Sequence, residues 1–481
     1  MSNTSGAHIL VFPFPAQGHI IPILDLSYHL AVRGLSITIL VTPKNLPILN
    51  QLLSKCPSIQ TLVLPFPKYP SLPPGVENVK DLPRETNAAF SMLHALGALH
   101  YPILQWFQSH PSPPTAIISD FFLGWTHSLA CQLGIPRVVF ATSGALPFAT
   151  LNSLWRTMPK LPDPADVDAS LSFPHIPHSP KYPWNQLSPI YRYYKEGDPV
   201  SEFIKEGMRA NQVSWGIVFN SFSELEGEYL EHVRKDMEPA HVWAVGPLLP
   251  SGEVGHTERG GASSVPAGDV MSWLDECTEG SVVYVCFGSQ VVLSRRQMEA
   301  LADGLDASGA RFVWSVKEST GGHAAGEYGV VPAGFEGRVA GRGLVIRGWA
   351  PQVAILGHRS IGSFLTHCGW NSVLEAIVAG VPMLTWPMTA DQFINASLLV
   401  DQLGVASRVC EGAESVPDSI QLARTVTESV SSSWTQRTRA KELSRAAEGA
   451  VREGGSSYKY LDELVTELSE LSVRPTDEKK T

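Results

Sequence analysis

Paired cysteines are missing. Cys56, Cys131, Cys277, Cys286, Cys368 and Cys410 are scattered, and no two make a C-x-x-C pair. That argues against both a zinc site and a disulfide framework. Also missing is any apolar run approaching the roughly 20 residues a membrane helix requires. The N-terminal "MSNTSGAHILVFPFPAQGH" has no basic patch ahead of an apolar core, so it does not read as a secretory signal. The glycosylation sequons at Asn3 and Asn395 are then read as chance matches. Positive charge is scarce too: the net charge is −10 and no segment carries a basic stripe. Nucleic acid and anionic membrane surfaces are therefore not expected partners. The expectation is a soluble, cytoplasmic protein, and a monomer.

What is present is material for two hydrophobic cores. The chain of 481 residues is 44% hydrophobic and 17% charged, longer than one core usually supports. In the first half, "HILVFPFP", "SITILVT", "AIISD" and "RVVFAT" read as strands alternating with helical stretches such as "IIPILDLSYHLAVRG" and "FLGWTHSLACQLG". Near-continuous apolar strands between helices predict a parallel sheet covered on both faces. Between Pro159 and Pro189 a Pro-rich loop region, broken into short helices, is expected. "SGEVGHTERGGASSVPAGD" then reads as a linker. A second series follows, through "SVVYVCFGS", "RFVWSVK", "GLVIRGWA", "IGSFLTH" and "VPMLTWPM".

The fold class is thus α/β, with two Rossmann-like, doubly wound parallel-sheet domains facing across a cleft. The expected limits are residues 1–249 for the first domain, 250–268 for the linker and 269–455 for the second domain. Residues 456–481 form a C-terminal helix and tail packing back on the first. Ligands of open α/β sheets bind just beyond the carboxyl ends of the strands, so the loops after strands are where chemistry is sought.

One such loop stands out in "LTHCGWNSVLEAIVAG", Leu365 to Gly380. Ser372 and Glu375 have the spacing of a helix capping box. A helix N-terminus is equally a seat for phosphate, with His367 placed to donate to it. This stretch alone leaves both readings open. The wider segment, Trp349 to Gln392, is 44 residues long and resembles, nearly end to end, the signature box of plant secondary-product UDP-glycosyltransferases. "FPFPAQGHIIPILDLS", "FNSFSELE", "AVGPLLP" and "VYVCFGS" resemble that family in order, and the branch acting on flavonoids and small phenolics is the most similar.

The resemblance implies the GT-B fold, with the donor on the second domain and the acceptor on the first. It implies Trp349 stacking on uracil, Ala350 and Gln352 flanking base and ribose, and Glu375 accepting from the ribose hydroxyls. His367, Asn371, Ser372 and Ser289 hold the diphosphate, and Gly369 belongs to the same donor set. Trp370, Asp391 and Gln392 read the sugar hydroxyls, with Gln392 favouring glucose over galactose. These roles suit the chemistry: bases stack on aromatic faces, and one carboxylate can take two charge-assisted bonds from a vicinal diol.

For the reaction itself, His19 lies in "PAQGHI" after the first strand, with Gly18 allowing close backbone approach. Asp120 ends "AIISD" at the same rim. A histidine base oriented by a carboxylate can take the proton of an acceptor hydroxyl. Gly18, His19, Phe121, Trp125, Ser143 and Phe148 are expected to line the acceptor pocket. His127, His358, Arg33 and Arg137 keep structural or solvated readings, and Cys368 is read as packing. "DVD" at Asp166 to Asp168 has the letters of a metal-binding D-x-D but follows no apolar strand, so no metal is expected.

The expected activity is inverting, metal-independent transfer of glucose from UDP-glucose to a hydroxyl of a small aromatic acceptor, giving a β-O-glucoside. No cofactor beyond that donor is expected. The alternatives are another donor (UDP-rhamnose, UDP-xylose or UDP-galactose), a nucleotide-sugar epimerase, or a binding protein with a degenerate site. The last would be expected to lack His19, Asp120 or Gln392, and all three are present.

Overall fold

The computed structural model describes residues 7–82, 88–161, 163, 165–166, 168–237, 240–249, 259, 263–319 and 327–471. Most of the expected linker, the sequon at Asn3 and the last ten residues lie outside this set. The strands of the first half are β1 (His8–Phe12), β2 (Ser36–Val41), β3 (Gln60–Val63), β4 (Ala116–Asp120), β5 (Arg137–Ala141), β6 (Ser170–Ser172), β7 (Lys181–Pro183), β8 (Gly216–Phe219) and β9 (His241–Ala244). Seven form one parallel sheet in the order β3-β2-β1-β4-β5-β8-β9. The second half supplies β10 (Val282–Cys286), β11 (Arg311–Val316), β12 (Gly343–Arg347), β13 (Ile361–Thr366), β14 (Met383–Thr385) and β15 (Ala406–Arg408). These make a second parallel sheet, β12-β11-β10-β13-β14-β15.

The strands explain their own placement. β1, β4 and β5 are buried at every position, as a sheet with both faces covered requires. In the first sheet the chain runs outward from β1 through β2 and β3, then returns to add β4 on β1's other side. Phe12 is thereby registered beside Ser119. The second sheet repeats the device at β10 and β13, where Cys286 pairs with Thr366. Such reversal points leave a crevice at the strand ends. Both crevices matter here: His19 follows β1 and Asp120 ends β4, while Ser289 follows β10 and His367 follows β13.

The helix Ser456–Glu470 packs on the first lobe. Leu461, Leu464 and Leu468 are buried in the cluster that holds Ile9, Ile23 and Trp243, and Arg33 pairs with Asp462. A continuous apolar cluster crosses between the lobes, joining Phe14 and Phe121 to Tyr284 and Trp370.

Several expectations need correction. The Pro-rich region has the expected short helices, Trp184–Gln186 and Pro189–Arg192, but also contains an antiparallel pair, β6 with β7. Two-residue-period signals this short are easily hidden among prolines. Arg137 is not a solvated charge but is buried at the start of β5. The Asn395 sequon, read as a chance match, needs no such correction: Asn395 is buried, its amide donating to the Cys368 carbonyl. No described helix is long and apolar enough to cross a membrane.

Candidate active site

After β1 the chain turns through "PFP" and enters the helix Gln17–Ala31, so His19 sits in the first helical turn. Its Nδ1 lies 2.7 Å from Asp120 Oδ2 and 3.1 Å from the Thr142 hydroxyl. Asp120 is wholly buried, and its Oδ1 accepts the Phe122 N–H at 2.8 Å. The imidazole stacks on Phe121 and Phe122, with centroids 5.8 and 4.9 Å away, and meets Phe14 edge-on at 5.3 Å. With Nδ1 committed to the carboxylate, Nε2 is the nitrogen left to face a substrate.

His19 lines a cavity of about 450 Å³ between the lobes. On the first lobe its walls include Phe14, Phe90, Leu93, Phe121, Phe122, Phe148, Leu187 and Ile190. This half is apolar and aromatic. Gly18, Ser143 and Phe148 line it as expected, but Trp125 does not. Trp125 instead meets Phe12 edge-on at 6.1 Å and belongs to the core. Gly18 is not sterically demanded, since a Cβ there would meet nothing within 4 Å. It contributes instead its carbonyl, which accepts the Asn371 amide at 2.9 Å.

On the second lobe, Ser289, Trp349, Ala350, Gln352, His367, Gly369, Trp370, Asn371, Ser372, Glu375, Asp391 and Gln392 all line the same cavity. The helix Trp370–Ala379 opens at Gly369, which has no side-chain cap. The capping box is not formed: Gln352 Nε2 donates to Ser372 Oγ at 3.0 Å and to Glu375 Oε2 at 2.7 Å. Ser372 is already inside the helix, where its hydroxyl faces Gln352 and not its own backbone. The first-turn N–H groups of this helix thus remain as anion donors.

His367 is half-buried at the cavity wall, and desolvation pushes its imidazole down to about 4. It is therefore a neutral hydrogen-bond donor at neutral pH. Among the described residues its Nδ1 has no partner. The ring packs against Gly288 and Gly369, where a Cβ would come within 2.6 and 2.5 Å of it. Cys368, in a left-handed conformation (φ 64°), is buried and its thiol is pushed up by that burial.

Several polar contacts join the lobes among the described residues, three of them at the cavity wall. Ser143 Oγ donates to Asp391 Oδ2 at 2.6 Å, Asn371 reaches Gly18, and the Trp370 indole N–H donates to the Asn220 carbonyl at 2.8 Å. Trp370 therefore has only its backbone N–H to offer a ligand. Asp391 also accepts from Asn395 at 3.1 Å, and burial raises its carboxyl. Gln392 Oε1 accepts the N–H groups of Met388 and Thr389, which turns its amide nitrogen into the donor for a ligand. Trp349 is half-buried, its indole N–H donating to the Arg259 carbonyl at 3.2 Å.

Sequence reasoning missed several participants. Phe14 was readable from its strand-end position, as Phe121 was. Thr142 and Phe90 carry no local signal. Arg259, in a Gly/Ser-rich stretch, pairs with both Glu375 and Asp25. Glu226 is a buried carboxylate accepting from the Ala145 and Leu146 N–H groups and the Ser221 hydroxyl. It thereby caps the helix Ala145–Thr157 from 80 residues away in sequence. The "DVD" aspartates Asp166 and Asp168 are exposed, and Asp168 accepts from Asn185.

Residues 247–421 match the model of the family described as "UDP-glucoronosyl and UDP-glucosyl transferase". UDP-glycosyltransferase 89B2 of Stevia rebaudiana is 56% identical over 467 residues, spanning 97% of this chain and 98% of that one. Flavonol 3-O-glucosyltransferase UGT89B1 of Arabidopsis thaliana is 54% identical, with 97% of both chains covered. The crystal structure of Arabidopsis thaliana UGT89C1 complexed with UDP-L-rhamnose superposes with a TM-score of 0.80 at 40% identity, covering 97% of this chain and all of that one. Two parallel-sheet lobes with a polar donor wall facing an aromatic one define a GT-B glycosyltransferase. The chain belongs to family 1 of these enzymes, among the plant secondary-product UDP-glycosyltransferases, and it transfers sugar from a UDP-sugar donor.

Proposed function

We propose that this enzyme transfers glucose from UDP-glucose to a hydroxyl of a small, flat phenolic acceptor such as a flavonol, with inversion and without a metal. The observation that carries the reading is the His19–Asp120 pair, set where the aromatic half of the cavity meets the donor half. His19 Nε2 takes the acceptor proton as the oxygen attacks the sugar's anomeric carbon. The bond from that carbon to the diphosphate breaks, and UDP leaves. Asp120 holds the imidazole in the required tautomer and stabilises the imidazolium. Leaving-group charge falls on the N–H groups of the helix beginning at Trp370 and on His367.

In the donor half, Trp349 takes uracil, Gln352 and Glu375 the ribose, and Asn371, Ser372 and Ser289 the phosphates. Asp391, Gln392 and the Trp370 backbone take the sugar. Residues 1–249 bind the acceptor and residues 269–455 the donor, joined by 250–268, with 456–481 returning to the first lobe. Glucose is favoured by Gln392 and by the relative named a flavonol glucosyltransferase. A second reading, UDP-rhamnose, is motivated by the structural neighbour bound to that donor.

The test is turnover with a phenolic acceptor and competing donors. His19→Ala should lose about 10²–10⁴ in rate, and wild-type activity would remove His19 from the mechanism. UDP-rhamnose outcompeting UDP-glucose would overturn the donor. UDP release without an added phenol would point away from transfer and towards epimerase-like chemistry.

A further inference from the structure

Arg137 is 1% exposed, although arginine is almost never fully buried unless paired. Its Nε donates to Ser119 Oγ at 2.8 Å. Nη1 donates to Asn211 Oδ1 and Ser214 Oγ at 2.9 and 3.0 Å, and Nη2 to the Asp120 carbonyl at 3.3 Å. Asn211 in turn donates to the Phe121 carbonyl at 2.9 Å. Three successive residues, Ser119, Asp120 and Phe121, are thus gripped from behind the sheet. Every acceptor in this set is neutral. Among the described residues Arg137 forms no ion pair, and a buried cation without a countercharge is strongly destabilising. The anion that offsets it is the buried Asp120 carboxylate itself: burial weakens the guanidinium's hold on its proton, and Asp120 opposes that effect. Arginine nonetheless stays charged at neutral pH.

We infer that Arg137 is a positioning residue that also acts electrostatically, aiming Asp120 at His19 and cancelling part of the negative charge that Asp120 presents to the imidazole. The inference rests on His19 and Asp120 acting as the base pair proposed above. Among the described residues, His127 and Asp391 are ionisable groups that interact with this cluster. His127, on the helix Thr126–Leu133, is held below its ordinary value by burial first and by Arg137 second. Asp391 lies across the cleft, within electrostatic reach of His19.

The sign follows from charge alone. A positive charge near the dyad opposes proton uptake by either member, so its loss lets the pair take a proton at higher pH, whichever residue holds it. The acid limb of the kcat/KM profile should then move up, by about one pH unit for an interaction of this kind.

The experiment is a set of pH–rate profiles with UDP-glucose and a phenolic acceptor. Arg137→Met removes the charge. Asn211→Asp leaves the guanidinium and sets a carboxylate against it. Both are expected to raise the acid limb. Arg137→Lys keeps the charge, and Asn211→Leu loses the bonds to Arg137 and to Phe121 but adds no charge. Both are expected to leave the limb in place while lowering kcat. An unmoved limb in folded Arg137→Met would overturn the inference, as would equal movement in Arg137→Lys. Should Arg137→Met not fold, Asn211→Asp decides alone. His19→Ala separates the two readings: activity retained there sinks the base assignment, whereas its loss with an unmoved limb in Asn211→Asp sinks only the role of Arg137.

Discussion

His19 is confined on each side by something different: a carboxylate on Nδ1, two stacked phenyl rings and a third ring at the edge. Orientation of that kind is what a base acting on a bound hydroxyl needs, and it is fixed before substrate arrives. Asp120→Asn should lose the charge that stabilises the imidazolium and one of the two acceptor oxygens that now serve His19 Nδ1 and the Phe122 N–H, lowering kcat by about 10²–10⁴. Single-turnover rates would check it. Trp349→Ala should leave kcat nearly unchanged and raise KM for the donor, because a lost base stack is worth about 1–3 kcal/mol. Initial rates at varied UDP-glucose measure this directly. Glu226 is a residue of a different kind. Glu226→Ala strands two backbone N–H groups and a hydroxyl in a buried site, each costing about 1–3 kcal/mol, so thermal unfolding should shift down by many degrees.

Whole elements carry their messages unequally. The strands and the strand-end positions of His19, Asp120, Ser289 and His367 were legible, because a buried parallel strand is a linear apolar run and its end is visible in the chain. The Trp349–Gln392 segment was legible because its cavity-lining residues lie close together in sequence. What stayed hidden is tertiary. Arg137 opens a strand and looks like an ordinary terminal charge, yet Asn211 and Ser214, more than 70 residues on, enclose it. Trp125 follows two cavity-lining phenylalanines but faces the other way once the short turn Phe121–Leu123 gives way to a helix. The apparent capping box at Ser372 dissolved because Gln352 claimed both of its members. The C-terminal helix belongs here as well. Leu464 is wholly buried against the first lobe's core, so Leu464→Ala should cost about 2–5 kcal/mol, read as a lowered denaturation midpoint with donor binding retained.

At the scale of the molecule, acidity acts on folding through buried imidazoles. His29 is pushed down to about 4, by burial first and by Arg33 second, from an ordinary value of 6.5. The unfolded chain therefore takes up this proton first as pH falls. Stability is lost between about 6.5 and 4 and then levels off. His29→Gln should remove that component, and the difference in melting temperature between variant and parent should grow as pH drops through this window. A flat difference would mean that His29 is protonated as readily in the fold as outside it.

Glu375 has a consequence of its own. One of its oxygens takes the Gln352 amide, the other the guanidinium of Arg259, which is anchored at its far side by Asp25 on the opposite lobe. Arg259 Nη1 donates to Glu375 Oε1 as a ribose hydroxyl would. Under the proposed donor pose the incoming nucleotide meets an incumbent that imitates it, and part of its binding energy goes to eviction. Arg259→Met should thus hold UDP several-fold more tightly by calorimetry while holding 2′,3′-dideoxy-UDP no better, so that donor affinity in this enzyme is the outcome of a rivalry between an amino acid and a sugar for one carboxylate.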